Sequence, residues 1–381
     1  MPNMIPFNRP HVTGDELPFI TEAIANLQLS ANGVFTQRCQ SRLEETLGAP
    51  RVLLTHSCTA ALEMAALLSG IGPGDEVIMP SFTFVSTANA VALRGATSVF
   101  VDIRPDTFNV DEGAIEAAIT GRTRAISVVH YAGVGAAMDA IGEIAVRRGL
   151  TVMEDAAQGL FASYRGRPLG TFGATGAISF HETKNVISGE GGALIVNDKA
   201  LVDRAEILWE KGTDRTRFRR GETDRYTWCD LGSSFAPSEI TAAFLWAQLR
   251  QAEAITRARR LIWERYHQAF AGWEAEGLLR RPQIPADRAH NAHLYGLLLP
   301  SASARAAALE GFARAGVQAI FHYVPLHDSP AGRRYGRAAG PLPVTEDVAA
   351  RLIRLPLHAD LTQEEQNRVI QAVHAVCLGK G

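Results

Sequence analysis

Residues 179–192 read Ser-Phe-His-Glu-Thr-Lys-Asn-Val-Ile-Ser-Gly-Glu-Gly-Gly, and residues 154–158, a short way upstream, read Glu-Asp-Ala-Ala-Gln. A lysine ahead of a glycine-rich turn means little alone, because solvated loop lysines are common. Here Lys184 follows a short apolar run, and Asp155 closes an earlier one, Thr-Val-Met-Glu. An amine and an acid delivered by neighbouring strands can act on one bound molecule, the amine as a Schiff-base former and the acid as its electrostatic partner. The pattern around them decides whether they meet.

From about residue 50 to 200, short apolar runs alternate with helical patterns. The runs that read as strands are Glu76–Met79, Ser98–Ile103, Ala125–His130, Thr151–Glu154, Ala177–Phe180 and Ala193–Val196. Several are nearly continuous in Val, Ile and Met, which predicts burial on both faces, as in a parallel sheet covered by helices. Gly-Pro-Gly-Asp at 72–75 and Arg-Pro-Asp at 104–106 are turn signals between units. The expected result is an α/β doubly wound domain. Its chemistry should gather at the carboxyl ends of strands, where Asp155 and His130 both fall. Residues 201–235 read as a polar, Arg-rich excursion. Pro237 then opens a long helix with Ile240, Phe244 and Ala247 on one face. Strands are expected around Leu294–Leu299 and Val317–Val324, and a final helix at a capping box formed by Thr362 and Glu365. We therefore expect a large domain over residues 1–235 and a smaller α/β domain over 236–381, beginning with the long helix.

Composition narrows the function classes. The 381 residues are 46% apolar and 20% charged, ordinary for a globular protein, and the formal charge of −2 argues against general binding to nucleic acid or anionic membranes. Cys39, Cys58, Cys229 and Cys377 match no zinc or disulfide spacing, so we expect no metal site and read them as buried small hydrophobes in a reducing compartment. The N-terminus lacks the apolar core of a signal peptide, and no apolar run approaches the ~20 residues of a membrane helix. The reading is cytoplasmic.

A carboxylate at Asp155 can keep the ring nitrogen of pyridoxal 5′-phosphate (PLP) protonated, which makes the ring an electron sink. As an alternative it caps a turn. Lys184 would bind the cofactor aldehyde and shuttle protons, with the following glycines letting the backbone pass close to a ligand. A phosphate cradle is available in Thr55-His-Ser57-Cys58-Thr59, where small hydroxyl residues open a helix running to Leu68. Ser179 could add a hydroxyl from the sheet side. Phe84 could stack on the ring or belong to the core. His130 and Tyr131 read as structural. Lys211, Arg215, Arg217, Arg219 and Arg220, with Tyr226 and Trp228, could hold a nucleotide diphosphate or form a solvated face. His322, Tyr323 and His327 could read a sugar or mark a proline turn.

Glu-Asp-Ala-Ala-Gln, Ser-Phe-His-x-x-Lys-Asn and Gly-Glu-Gly-Gly, in that order, together resemble the DegT–StrS family of PLP-dependent nucleotide-sugar aminotransferases. The resemblance runs from Ile5-Pro-Phe to Leu355-Pro-Leu. It implies the aspartate-aminotransferase-like fold (PLP fold type I), with PLP as cofactor and pyridoxamine 5′-phosphate (PMP) as its aminated form. By position, Lys184 matches the Schiff-base lysine, Asp155 the pyridinium partner, Gln158 the residue beside the ring oxygen and Phe84 the stacking aromatic. Ser57, Cys58, Thr59 and Ser179 match the phosphate cradle. Family members often place an asparagine of the neighbouring subunit on the phosphate; here the matching stretch is Gly232-Ser233-Ser234, leaving Ser234 as a substitute. The resemblance also implies a homodimer with shared sites. Leu-Leu-Thr-x-Ser-Cys-Thr-Ala and Phe-His-Tyr-Val-Pro-Leu-His look like the dTDP-4-amino-4,6-dideoxygalactose transaminase subgroup. That implies transfer of the amino group of L-glutamate to C4 of dTDP-4-keto-6-deoxyglucose. The alternatives are a C3 aminotransferase acting on a dTDP-3-keto sugar and a non-catalytic regulator on the same scaffold. The dehydratase branch of the family replaces the lysine with histidine, so Lys184 argues against it.

Overall fold

The central strands owe their continuous apolar sequence to two helical layers. A computed structural model describes residues 4–378. Its main sheet has eight strands, numbered here in chain order: β1 (Arg51–Thr55), β2 (Glu76–Pro80), β3 (Thr97–Val101), β4 (Thr123–Val129), β5 (Thr151–Asp155), β6 (Thr175–Ser179), β7 (Gly192–Val196) and β8 (Gly336–Ala338). Their spatial order is β1-β7-β6-β5-β4-β2-β3-β8, and β7 alone runs against its neighbours. Along β7, Leu194 and Val196 join the core on one face while Ala193 and Ile195 join that on the other. In β2, Val77 and Met79 face one layer and Ile78 the other. Alternation is thus present in packing though absent in hydropathy. β1 and β8, which the sequence analysis leaves out, form the sheet's edges.

The helix Glu239–Ala269 couples this body to the C-terminal lobe. Its first half packs Ala242, Ala243, Leu245 and Leu249 against Phe35, Cys39 and Leu43, and its second half lends Ile262, Trp263 and Tyr266 to the smaller core. The smaller lobe is built on an antiparallel pair, Tyr295–Leu298 with Leu352–Leu355. The helix Gln363–Leu378 closes it, starting at Thr362 and Glu365, whose side chains and amides exchange hydrogen bonds of 2.9 to 3.1 Å, as the capping box requires. Contacts join the parts expected on either side of residue 235: the long helix packs on the large core, β8 pairs with β3, and Ile5 bridges Val317.

Four expectations need correction. The long helix starts at Glu239, capped by Ser238, and its buried face only partly matches the expected one: Ala247 is buried as expected, but Ile240 is 40% exposed and Phe244 half-buried, while Ala242, Leu245 and Leu249 are buried. Glu239 sets that face. Its buried carboxylate accepts hydrogen bonds from the amides of Gly33 (3.1 Å), Phe35 (2.8 Å) and Thr36 (3.0 Å), at the start of the helix Val34–Leu47. Gly33 permits this approach, because a Cβ there would lie 2.6 Å from that carboxyl carbon. Second, residues 317–324 form no strand. Only Val317 and Ile320 make isolated bridges, and the rest passes as an irregular strap in which Phe321 and Val324 face solvent while His322 and Tyr323 are half-buried. Third, the 201–235 excursion begins with a packed helix, Val202–Trp209, burying Leu208 and Trp209. Fourth, only Cys39 is buried; Cys58 is half-buried and Cys229 exposed, while the side chain of Cys377 lies outside the described residues.

Removing the buried Glu239 carboxylate orphans three amides. Glu239→Ala should therefore cost about 3 kcal/mol of stability in a denaturant titration, and Glu239→Gln clearly less. Equal losses in the two variants would show that the carboxylate is not what holds this junction.

Candidate active site

Three strand ends meet at one corner of the main sheet. Because β7 runs backwards, its first residue, Gly192, pairs with the last residues of both neighbours, Thr55 of β1 and Ser179 of β6. A Cβ at Gly192 would sit 2.4 Å from the amide nitrogen of Cys58, so only glycine lets the strands close over the turn. The helix Cys58–Leu68 starts there, with Ser57 Oγ accepting from the Ala60 amide at 3.1 Å. Among the described residues the amides of Cys58 and Thr59 donate to no protein acceptor, and they remain open at the positive end of the helix.

A cavity of about 520 Å³ opens at this corner. Ser57, Cys58, Thr59, Phe84, Asp155, Gln158, Ser179, Lys184, His322 and Tyr323 all line it, so ten of the sequence-predicted residues come together. Asp155, at the end of β5, is held by Thr87, whose hydroxyl donates to Oδ2 at 2.6 Å, and by the Ala157 amide, which donates to Oδ1 at 3.1 Å. Lys184 sits across from it, its Nζ making no hydrogen bond among the described residues. Burial pushes its amine below the usual lysine range, and Arg354 adds to that, while Cys58 and Asp155 oppose it. Burial also pushes the Cys58 thiol well up, with Asp155 adding to the effect, so it stays protonated.

The wall facing the sheet is aromatic. Gln158 accepts from the Ala132 amide at 2.7 Å and donates to the Tyr323 hydroxyl at 3.1 Å. His322 Nδ1 meets the Tyr131 hydroxyl at 3.0 Å. Burial, with Arg354 and Lys184 nearby, holds His322 well below the ordinary histidine range, so it stays neutral at physiological pH. His130, by contrast, lies under the sheet end: it accepts from the Ala136 amide at Nδ1 and meets Glu154 at 2.8 Å through Nε2. It is structural, as expected.

The other predicted residues do not line this cavity. His327 Nδ1 meets Ser81 Oγ at 2.7 Å and its Nε2 lies 3.4 Å from Glu346, so it braces the turn behind the wall. Ser234 pairs with Glu210 as an isolated bridge. Lys211, Arg215 and Arg219 lie with it on an exposed arm, which includes the helix Arg215–Arg219. Arg219 pairs with Glu210, Arg220 with Glu206 and Glu222, and Arg217 with Glu222. Lys211 and Arg215 form no ion pair among the described residues; Arg215 lies over the Tyr226 ring at 5.8 Å.

The sequence analysis also missed residues. Thr87, His293, Arg259 and Arg354 belong to or support the site. Asn185, next to Lys184, donates to the Asn291 carbonyl at 2.8 Å and meets His293 Nδ1 at 3.2 Å, which ties the lysine loop to the smaller lobe. Arg259, on the long helix, donates to the carbonyls of Ala292 (3.2 Å) and His293 (2.6 Å) and fixes that same segment. An arginine inside the apolar pattern of the long helix was a visible signal; nothing local marked the others.

This donor set fits PLP: open helix-terminal amides and hydroxyls for a phosphate, an unpartnered amine for an aldehyde, and a positioned carboxylate for a ring nitrogen. Among the described residues no cluster of His, Cys, Asp and Glu could hold a metal ion, and no helix is long and apolar enough to cross a membrane.

Comparison with known proteins agrees with that chemistry. Residues 10–374 match the DegT/DnrJ/EryC1/StrS aminotransferase family. The spore coat polysaccharide biosynthesis protein SpsC of Bacillus subtilis is 32% identical over 99% of this chain and 98% of its own. GDP-perosamine synthase of Caulobacter vibrioides is 32% identical over 96% of each chain. Among solved structures, the aminotransferase TlmJ from Streptoalloteichus hindustanus superposes with a TM-score of 0.90 at 33% identity, covering 98% of this chain and 99% of its own. The PMP form of Spr1654 from Streptococcus pneumoniae superposes with a TM-score of 0.91 at 26% identity, over 98% and 99% of the two chains. The chain thus belongs to the DegT/DnrJ/EryC1/StrS family and is a PLP-dependent sugar aminotransferase of fold type I.

Proposed function

We propose that this protein transfers the amino group of L-glutamate to C4 of dTDP-4-keto-6-deoxy-D-glucose, giving a dTDP-4-amino-4,6-dideoxyhexose. One observation carries the reading: the unpartnered amine of Lys184, the carboxylate of Asp155 and the polar edge of His322 and Tyr323 share a single cavity. The nucleotide and the ring position rest on the segments that resemble the dTDP-sugar subgroup, Leu-Leu-Thr-x-Ser-Cys-Thr-Ala and Phe-His-Tyr-Val-Pro-Leu-His.

In this reading bound PLP supplies an electron sink, and the protein supplies everything else. Lys184 holds the cofactor and moves a proton at Nζ, a task eased by an amine already biased toward its neutral form. Asp155 pairs with the ring nitrogen, in the orientation that Thr87 and the Ala157 amide impose. The open amides of Cys58 and Thr59, with Ser57 and Ser179, take the phosphate. Gln158 would serve the ring oxygen and Phe84 would stack on the ring. His322 and Tyr323 read the sugar.

The outward arm fits a homodimer with composite sites. Ser234, Lys211 and Arg215 do not line their own cavity, which suits delivery to that of a second copy: Ser234 toward the phosphate, the cations toward the nucleotide diphosphate. The surrounding charge and the lack of a membrane-crossing helix among the described residues accord with a cytoplasmic enzyme.

Three outcomes are expected. Incubation with the dTDP-4-keto sugar and L-glutamate should give a product whose NMR spectrum places nitrogen on C4; faster amination of a 3-keto isomer would overturn the assignment. Free keto sugar should lose orders of magnitude in kcat/KM, because binding of the remote nucleotide orients the carbonyl. Asp155→Asn should keep bound PLP but lose most turnover, since an uncharged partner cannot favour a protonated ring nitrogen. Near-normal kcat in that variant would remove Asp155 from the mechanism.

A further inference from the structure

Two guanidiniums reach the cavity wall, and they are differently employed. Arg259 is satisfied by two backbone carbonyls. Arg354, on the strand Leu352–Leu355, donates only to the Phe321 carbonyl, at 3.1 Å, and its Nε is buried without any partner. It forms no ion pair among the described residues. Its backbone is fixed by hydrogen bonds to Ile320 in both directions, at 2.7 and 3.2 Å. One face of the guanidinium is covered by the Phe7 ring at 4.8 Å, and Phe7 is itself held by Gln318 and Leu357.

Burying a cation without a counter-charge is costly, and structural arginines normally find a carboxylate or several carbonyls. Arg354 is instead half-buried, held still and left with N–H groups free to serve an incoming anion. Its guanidinium bonds the carbonyl of the residue before His322, and Arg354, His322 and Lys184 line the same cavity. The two substrates differ in where they carry charge. An amino acid has a carboxylate on the very carbon that loses its amino group. A nucleotide sugar carries its charge on the diphosphate at C1, away from a reacting ring carbon.

We infer that Arg354 anchors a carboxylate of the amino donor, and so selects an amino acid for the first half of the reaction without being needed in the second. This deepens the proposed function and rests on its assignment of an amino acid as donor. A planar, donor-rich guanidinium suits a carboxylate better than an ammonium does. The neutral His322 beside it adds no charge of its own, so the positive groups lining the cavity are Arg354, Lys184 and the carbonyl-bound Arg259.

The two half-reactions can be measured apart. The PLP-loaded protein is mixed with L-glutamate and loss of its visible absorbance is followed; separately, the PMP-loaded protein is mixed with the dTDP-4-keto sugar and recovery of that absorbance is followed. Arg354→Gln should raise the glutamate concentration for half-maximal rate about 10- to 100-fold, the loss expected for charge-assisted hydrogen bonds. The keto-sugar half-reaction should stay within about threefold of wild type, and Arg354→Lys should recover part of the glutamate affinity. A loss confined to the keto-sugar half would overturn the inference and assign Arg354 to the sugar nucleotide. Equal losses in both halves, or failure to retain PLP, would overturn it in favour of a structural role. Wild-type protein that reacts with no amino acid while still aminating the sugar from the PMP form would instead refute the proposed donor.

Discussion

The close approach of Gly192 to the Ser57–Cys58 turn is the constraint on which the site depends. It follows from one reversed strand: because β7 runs against its neighbours, its beginning lies where β1 and β6 end. The phosphate-ready helix terminus after β1 and the lysine loop after β6 are thereby drawn to one corner, with Asp155 two strand positions away across the sheet. No side chain fits between Gly192 and the Cys58 amide, so the corner depends on glycine.

Around that corner the protein sets charges by burial. The amine of Lys184 and the imidazole of His322 are pushed toward their neutral forms, and the Cys58 thiol is kept protonated. The exposed arm does the opposite, spending Arg217, Arg219 and Arg220 on its own carboxylates and keeping Lys211 and Arg215 free of them. The buried centre and the outer arm thus handle charge in opposite ways, one by desolvation and the other by ion pairing in water.

How much of this could be read in advance depended on where each residue sits in the chain. Asp155, Ser57 and Ser179 stand at strand ends or a helix start, with Lys184 in the loop just after a strand, and the hydropathy pattern fixes such places. The same pattern could not show which way β7 runs, because a strand buried on both faces reads alike in either direction. Arg354, His293 and Thr87 reach the site through tertiary packing from remote segments, so no local motif announced them. His327 shows the converse: it belongs to a recognisable motif, yet the 3-10 turn Leu326–Asp328 aims it at Ser81 and Glu346, behind the wall. The long helix was legible in its extent but only partly in its buried face, which is set by Glu239 reaching a helix start far away in sequence.

The central claim is that Lys184 is the residue on which the cofactor is held. Reducing the PLP-loaded protein with borohydride and mapping the labelled peptides tests it directly. The account predicts that the label sits on Lys184, in the peptide containing His181 to Ile187, and that Lys184→Ala shows neither the label nor the visible absorbance. Recovery of the label on any other lysine would contradict it.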